Sequence, residues 1–343
     1  MFQSVRLSLN IDDGFPIPNY LSFDPVSIDI SSKKIRVMKL KNSHGNSLPE
    51  IYKEIEIDKK CDIINISKTK DINSEEAKIL VETLSKLKKE LKLKFVAVAL
   101  PEIETYIYKI QLPKEALKNI YSAVQFSIEE NVPLSMVDAV FDYSILDDEE
   151  LLKKGKIDIV VMVFPKNVIS VYTTILNQAG LFPVCFQSES IASAAAVIKS
   201  GDKDPYLLIR LLDDRTNVAI VERNTVQYSS SVSVGMNEII SNQNGDKATE
   251  LKNALNKLLV FWFTNRNFGE EHKKIKTAYI IGENSSSQEI DEFLERHLKI
   301  NVETGNVWSN CFDINEFVPK INKNDSLNYA VAIGLALSLK KND

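Results

Sequence analysis

Two stretches of the sequence, 27–40 and 206–235, repeat one pattern and restrict the fold more than any other feature. In the first, "SIDISSKKIRVMKL", two short apolar runs with strand character flank the turn Ser31-Ser32-Lys33-Lys34. The second, "YLLIRLLDDRTNVAIVERNTVQYSSSVSVG", has three such runs separated by polar turns. A β-meander that opens each half of a 343-residue chain predicts two lobes with a sizeable buried core.

The overall composition is typical of a globular protein and argues against two classes of function. The formal net charge is −5, so no basic excess predicts nucleic-acid binding. The longest apolar stretch, 327–339, is shorter than the roughly 20 residues that a membrane span needs. Three scattered cysteines fit a reducing compartment. The sequence therefore predicts a cytoplasmic protein whose membrane association comes through a partner.

Motifs for metal binding and for nucleophilic catalysis do not occur in the sequence. The three histidines, His44, His272 and His297, lie in polar contexts, and none has a second ligand at metal spacing. The nucleophile motif GxSxG, the phosphate loop GxxxxGK[ST] and the zinc motif HExxH are absent. We therefore predict no metal site and no catalytic residue.

Between the two β-rich lobes, residues 103–183 carry their own alternation of strands and helices. Strand patterns occur in "TYIYKIQLP", "AVFDYSIL" and "IDIVVMVFP", and the second helix ends at Gly180. This order predicts a compact βαββα insert. The predicted domains are a first lobe of 22–102, 184–203 and 325–343, the insert at 103–183, a second lobe of 204–324, and an extended leader at 1–21.

The last predicted helix, at about 326–339, contains Gly334 among alanines. A glycine inside a helix costs about 1 kcal/mol relative to alanine. We therefore expect another backbone to pack closely against this turn.

Four stretches, taken in order, resemble PilM, the actin-like protein of type IV pilus assembly, which is related to the cell-division protein FtsA. The leader and first hairpin carry the resemblance in "FPIPNYLSFDPVSIDISSKKIRVMKL", and the insert carries it in "VQFSIEENVPLSMVDAVFDYSIL". The return to the first lobe, "VMVFPKNVISVYTTILNQAGLFPVCFQSES", and the closing helix, "YAVAIGLALS", are also similar. The resemblance covers about 15–340 and implies an α/β, actin-like (ribonuclease-H-like), two-lobed fold with an FtsA/PilM-type insert subdomain.

The resemblance also implies a cleft between the lobes for ATP and Mg²⁺, in which the first hairpin would contact phosphate. Asp29 matches the family's aspartate there, and Ser31 replaces its glycine. Ser32 and Lys33 lie in the same turn and are also expected to face the nucleotide. A serine hydroxyl can still contact a phosphate, so this turn remains compatible with nucleotide binding.

The other two nucleotide-facing turns depart further from the family pattern. Arg210 stands where the family has an aspartate, Leu212 replaces a glycine, and Thr216 is retained. Gly282 is retained in the adenosine turn, but Glu283 follows it where another glycine is expected. An arginine cannot supply the carboxylate that orders Mg²⁺ and its waters. We expect inefficient ATP hydrolysis at most, with hydrolysis, binding without turnover, and a nucleotide-free scaffold as the alternatives.

A partner follows from the resemblance as well, since PilM-like proteins capture the cytoplasmic N-terminal tail of the inner-membrane protein PilN. The chain is then a scaffold component, alone or as a homo-oligomer or ring, of a type IV pilus or a related secretion or competence machine. The implied groove lies near 103–183. Tyr108 and Phe126 are candidate wall residues, for which core packing is an equal alternative.

Two other functions remain open at this point. One is an active actin-like ATPase or a sugar-kinase-type phosphotransferase, which needs a carboxylate base and intact phosphate loops. The other is an FtsA-like division protein, which would carry an amphipathic membrane helix at its C-terminus, whereas this sequence ends "LSLKKND".

Overall fold

The first sheet is assembled from strands that lie far apart in the sequence. The computed structural model describes residues 5–6, 25–57, 63–146, 149–235, 238–239, 246–264, 274–283, 285 and 287–340. The strands of this sheet are β1 (Val5–Arg6), β2 (Val26–Ile30), β3 (Lys34–Ser43), β4 (Asn46–Glu56), β5 (Phe95–Leu100) and β9 (Phe182–Ser188). Their order is β1-β9-β5-β2-β3-β4. Strands β2, β3 and β4 form an antiparallel meander, and β5 runs parallel to both β2 and β9.

The second sheet repeats this arrangement. It contains β10 (Tyr206–Leu211), β11 (Thr216–Glu222), β12 (Thr225–Val232), β13 (Thr277–Gly282) and β14 (Asn301–Thr304). The order β12-β11-β10-β13-β14 matches β4-β3-β2-β5-β9, with the same antiparallel meander followed by parallel strands. These are the paired ribonuclease-H-like halves of an actin-like fold, and the predicted fold class is confirmed.

A third sheet lies in the insert and is fixed to the first lobe by its central strand. Its order is β6 (Tyr106–Pro113), β8 (Lys156–Pro165), β7 (Ala139–Leu146), and both pairs are antiparallel. Alternate residues of β8 point to opposite faces. Ile159 and Val161 pack with helix α3 (Ile120–Asn131), whereas Val160 and Met162 join the core of the first sheet. The insert and the first lobe therefore share a buried strand.

Helices cover the first sheet on both faces. The helices α1 (Ile63–Thr69), α2 (Glu75–Leu91) and α5 (Lys166–Gln178) pack together with Val96 and Val98 of β5 in one core. Ala97 and Ala99 instead pack with α6 (Glu189–Val197) and with the last helix, α10 (Ala330–Lys340). The sequence predicts that α5 belongs to the insert, but Tyr172 and Ile175 of α5 are buried in the first lobe's core.

Local sequence signals explain several helix ends. The Ser74 hydroxyl accepts a hydrogen bond from the Ala77 amide at 3.2 Å and caps α2. Gly180, beyond α5, has φ +73°, a conformation that favours glycine. Further α-helices in the described part of the chain are α4 (Glu149–Lys153), α7 (Asp246–Thr264), α8 (Gln288–Leu298) and α9 (Lys323–Leu327). Leu251 and Leu255 of α7 and Leu294 of α8 pack in the core of the second sheet.

Gly334 permits close contact between α10 and α6. A Cβ atom at this position would lie 1.6 Å from the Ala192 carbonyl oxygen, so the expected backbone contact is confirmed. The prediction of a single helix at about 326–339 is wrong in one respect. The chain turns between α9 and α10, where the Asn328 and Tyr329 amides donate to the Asp325 and Ser326 carbonyls.

Two sequence predictions concern the leader and the membrane. Of the leader, Val5 and Arg6 are described, and its other residues lie outside the described ranges. Among the helices that the structure describes, none combines the length and hydrophobicity needed to cross a bilayer.

Candidate functional site: the cleft between the lobes

Two rows of polar residues face each other across the cleft, one on each β-meander. In the first lobe, cross-strand register places Asp29 opposite Arg36, and Arg36 opposite Glu54. In the second lobe, Arg210 lies opposite Asn217, which lies opposite Ser231. Asp29 and Arg210 are each the next-to-last residue of the first strand in their meander. The two residues therefore occupy equivalent positions in the repeated halves.

Arg210 joins the two lobes at the centre of the cleft. Its Nη2 lies 2.6 Å from Oδ2 of Asp29, and its Nη1 lies 2.8 Å from Oε1 of Glu189. All three side chains are at most 4% exposed. Because a buried charge is tolerated only when it is paired, these contacts hold the second lobe against the first.

Glu189, the first residue of α6, contacts polar groups of both lobes. Its Oε2 accepts hydrogen bonds from the Glu102 amide at 3.0 Å and from Asn217 Nδ2 at 2.7 Å. Arg215 Nη2 lies 4.0 Å from its other carboxylate oxygen. Burial alone would raise the pKa of Glu189, but Arg210 and Arg215 together hold that pKa below its ordinary value. Glu189 is therefore ionised at neutral pH.

The other two buried carboxyl groups are less well compensated. Asp29 Oδ1 has no hydrogen-bond partner among the described residues, and burial raises the pKa of Asp29 even with Arg210 beside it. Glu102 accepts one hydrogen bond from the Ser190 amide at 2.9 Å. Burial raises the pKa of Glu102 to about 7, against an ordinary 4.5. The carboxyl group of Glu102 therefore titrates near neutral pH.

A second set of ion pairs closes the cleft around the first hairpin. Glu283 forms ion pairs with Arg36 and with Lys34, the latter at 3.2 Å. Arg36 also binds Glu54 at 2.6 Å. Lys33 reaches Asp213 in the second hairpin at 3.3 Å. Residues of both lobes thus contact each other where the family resemblance implies a nucleotide.

The first hairpin turn needs no glycine here. Ser31 donates its amide to the Lys34 carbonyl at 2.8 Å, and its hydroxyl accepts from the Lys34 amide at 3.1 Å. No residue from Ser31 to Lys34 has a positive φ. Ser31 and Ser32 are both buried. Hydrogen bonds between Ser31 and Lys34 therefore close the turn.

Gly282 and Thr216 have structural roles that explain their retention. Gly282 has φ +95°, and a Cβ there would lie 2.2 Å from the Leu211 carbonyl oxygen. The next amide, that of Glu283, donates to the same oxygen at 2.9 Å. The Thr216 hydroxyl donates to the Val234 carbonyl at 2.7 Å. Both residues therefore support the ends of the second sheet.

The residues in this cleft do not fit Mg²⁺ and ATP. The guanidinium of Arg210 lies within hydrogen-bond distance of Asp29 and Glu189, so a dication there would meet a positive charge. The cavity between Arg210, Glu189 and Asn217 has a volume of about 10 Å³, room for about one water molecule. A phosphate group is several times larger than a water molecule.

The sequence-predicted site residues therefore divide into two groups. The structure brings Asp29, Arg210 and Lys33 together with partners across the cleft, whereas Ser31, Thr216 and Gly282 bind or pack within their own lobes. Ser32 is buried. Glu189, Glu102, Arg36 and Arg215 were missed. One available signal was Arg36, a charged residue inside the apolar run "IRVM".

The two candidate groove residues of the insert have different surroundings. Tyr108 packs against the insert's core, and its hydroxyl lies 3.0 Å from Ser127 Oγ in α3. Phe126, on the outer side of the same helix, is 69% exposed. Phe126 is thus available to a partner, and Tyr108 supports the helix that carries it.

The fold is shared with a solved chain of the PilM–PilN type IV pilus biogenesis complex. The TM-score is 0.71 at 16% sequence identity, over 92% of this chain and 98% of that chain. This similarity establishes a common fold, so the resemblance to PilM is confirmed at that level. No protein-family model and no curated protein matches the sequence.

Two further structures are similar at lower scores. The cytoplasmic domain of EpsL, an inner-membrane component of the type II secretion system of Vibrio cholerae, has a TM-score of 0.44 and 10% identity, over 75% of this chain and 81% of that chain. The ethanolamine utilization protein EutJ of Carboxydothermus hydrogenoformans has a TM-score of 0.45 and 11% identity, over 91% of this chain and 89% of that chain.

Proposed function

We propose that this chain is a cytoplasmic scaffold component of a type IV pilus, or of a related secretion or competence machine, and that it works without nucleotide turnover. The observation that carries the proposal is the position of Arg210 between Asp29 and Glu189, in the cleft of a fold shared with PilM. An internal cation replaces the bound cofactor as the contact between the lobes.

A fixed angle between the lobes follows from these contacts. Opening the cleft would leave Asp29, Glu189 and Arg210 without their partners, and separating a buried ion pair is costly. A nucleotide-driven cycle needs a cleft that opens for exchange of the ligand. The paired charges favour a constant frame for binding another protein.

The partner is an extended N-terminal tail of a PilN-like inner-membrane protein, bound beside the insert. The insert presents large apolar side chains to solvent: Leu117 (40% exposed), Tyr121 (56%), Phe126 (69%) and Val137 (79%). Exposed apolar side chains grouped on one small subdomain mark a surface for protein binding. Peripheral association with the inner membrane is then a consequence of binding the tail.

A phosphotransferase or ATPase is disfavoured by the same cleft. Such an enzyme needs a carboxylate to order Mg²⁺ and its waters, and Arg210 stands at the position that the family gives to one. Glu283 adds a carboxylate where phosphate and adenosine must approach, and it is held there by Lys34 and Arg36.

Binding is tested with a fluorescent peptide of the N-terminal tail of a PilN-like single-span membrane protein from the same organism. We expect saturable binding by fluorescence anisotropy, weakened about tenfold, or 1.4 kcal/mol, by Phe126→Lys. Val318→Lys is the matched control, since Val318 is an apolar residue 81% exposed outside the insert. Equal loss in both variants, or no binding to the native chain, would overturn the proposal.

Nucleotide independence is tested by thermal unfolding with and without ATP and Mg²⁺. We expect an unchanged Tm, because a ligand stabilises a protein only when it binds the folded state. If ATP and Mg²⁺ raise the Tm by several degrees and Asp29→Ala abolishes this rise, the chain has a working nucleotide site, and the result would support the ATPase alternative.

A further inference from the structure

The strand β7 forms a regular edge of the insert sheet. It pairs with β8 on one side, and no other described strand pairs with it. It is eight residues long, contains no proline, glycine or lysine, and keeps one register along β8. An edge of this kind exposes a row of backbone amide and carbonyl groups that can pair with another chain.

The other sheet edges in the described part of the chain are short, irregular or in contact with a second edge. β14 has four residues, and β1, which lies outside β9, has two. β4 contains Pro49, and its register with β3 shifts between Lys39 and Leu40. The edge strands β6 and β12 contact each other. β7 is therefore the edge best suited to receive an added strand.

One face of β7 continues the exposed apolar surface of the insert. Phe141 and Tyr143 pack against the core beneath α3. The ring of Tyr121, which is 56% exposed, lies 5.2 Å from that of Phe141 between centroids. Ile145, on the same face of β7, is 43% exposed. A strand added beside β7 would place every second side chain on this apolar face.

The opposite face of β7 carries two polar side chains that lack partners. Asp142 and Ser144 lie opposite Met162 and Val160, which are buried in the first lobe's core. Oδ2 of Asp142 and Oγ of Ser144 are buried and have no hydrogen-bond partner among the described residues, and Ser144 is only 3% exposed. Burial raises the pKa of Asp142. Because buried polar groups without partners are costly, this face favours a ligand that brings hydrogen-bond donors and a positive charge.

We propose, on the basis of the proposed function, that the tail of the inner-membrane partner adds to the insert sheet as a fourth strand along β7, and that a lysine or arginine of the tail donates to Asp142 and Ser144. Backbone hydrogen bonds supply affinity, and alternate side chains supply specificity. Cytoplasmic segments close to a membrane span are enriched in lysine and arginine, so such a tail carries the charge that Asp142 lacks. The partner segment is extended, with apolar side chains at alternate positions and a basic side chain between them.

Strand addition is tested by amide hydrogen exchange, read by NMR, in the full-length chain with and without saturating unlabelled tail peptide. Every second amide of an edge strand points away from its sheet. We therefore expect exchange to slow by about tenfold or more at alternate residues of β7. β14, an edge strand outside the insert, is the matched control and should be unchanged. Binding that leaves exchange in β7 unchanged, or that slows β14 equally, would overturn strand addition and leave the pilus role intact.

The contact with Asp142 is tested by fluorescence anisotropy with Asp142→Asn, which keeps the size of the side chain and removes its charge. We expect the tail peptide to bind about tenfold more weakly. Glu130→Gln, at an exposed position of α3, is the matched control and should change the affinity by less than about twofold. Equal losses in the two variants would overturn recognition by Asp142.

A double-mutant cycle identifies the basic residue of the tail. Each lysine or arginine of the peptide is replaced in turn by methionine, and for one of them Asp142→Asn should cause no further loss of affinity. Independent losses at every basic position would contradict the contact. Binding that depends on Phe126 but on neither Asp142 nor β7 would overturn this inference alone, whereas no binding to the native chain would overturn the proposed function as well.

Discussion

The two lobes have the same strand order but carry opposite charges at equivalent positions. Asp29 near the end of β2 corresponds to Arg210 near the end of β10, and the two side chains contact each other across the cleft. Carboxylates on both sides would repel each other unless a cation lay between them. A guanidinium on one side forms the contact directly, so an ion pair joins the two repeated halves at this point.

The contacts across this interface differ in their exposure to water. Arg210, Asp29 and Glu189 are almost fully buried, whereas the side chains of Lys33 and Asp213 are 48% and 23% exposed. Arg36 is as buried as the central residues, at 1%, but its partner Glu283 is 12% exposed, between the two limits. These differences in exposure predict a graded series. The loss in free energy of unfolding on mutation should fall from the centre of the cleft to its rim.

Arg210→Ala should cause the largest loss of folding stability in this series. It leaves Asp29 and Glu189 buried without their main cation, and removal of one partner from a buried pair costs about 3–5 kcal/mol. The free energy of unfolding, measured in urea, should fall by this amount at pH 7. A loss below about 1 kcal/mol would show that water enters the cleft and hydrates the two carboxylates.

Neutralising the acids provides the control for this prediction. In Arg210→Met with Asp29→Asn and Glu189→Gln, neither buried charge remains, and most of the loss should be recovered. Arg210→Lys keeps the charge but cannot bind both carboxylates in the same planar geometry, so an intermediate loss is expected. A triple variant as unstable as Arg210→Ala would assign the loss to packing and not to charge.

The contribution of Glu102 to folding stability should depend on pH. Its pKa is about 7 in the folded chain against an ordinary 4.5, so between these values the folded state holds a proton that the unfolded state has lost. Stability contributed by this group is therefore present at low pH and is lost as pH rises through the window. Glu102→Gln mimics the protonated form. Its free energy of unfolding should therefore rise by about 2–3 kcal/mol relative to that of the native chain as the pH increases from 5 to 8.

The measurement is a pair of urea unfolding series, native chain and Glu102→Gln, at each pH. Taking the difference removes the titration of all other groups that the two chains share. Glu75→Gln, at an exposed position in the first turn of α2, is the matched control for the loss of one carboxylate at the surface. A constant difference for Glu102→Gln would mean that its carboxyl group titrates normally.

Sequence alone predicted more of the fold than of the site, for a physical reason. Strand periodicity and Gly334 are local signals, and they identified the meanders and the close contact of α10 with α6. The family resemblance paired Asp29 and Arg210 as cleft residues. Glu102 and Glu189 meet only because β5 and β9 are neighbours in the sheet, and no spacing in the sequence connects them.

Glu283→Gln should have an intermediate effect. It removes a charge that binds Arg36 and Lys34 but leaves Arg36 paired with Glu54. A hydrogen bond to a charged group contributes about 1.5–3 kcal/mol, and retention of Glu54 places the expected loss at about 1–2 kcal/mol. When Glu283→Gln is combined with Arg36→Met, the two losses of stability should be less than additive, because the two residues share one contact. Full additivity in urea unfolding would show that the pair contributes nothing.

Lys33→Ala should have the smallest effect, although its ion pair with Asp213 also connects the two lobes. Both side chains are hydrated, and exposed pairs of this kind contribute about 0–1 kcal/mol, less as salt rises. We expect a loss below about 0.5 kcal/mol that disappears in 1 M salt, whereas the loss in Arg210→Ala persists because its site excludes ions. Equal losses in the two variants would contradict the graded series and would show that the pair at the rim stabilises the contact between the lobes as much as the buried centre does.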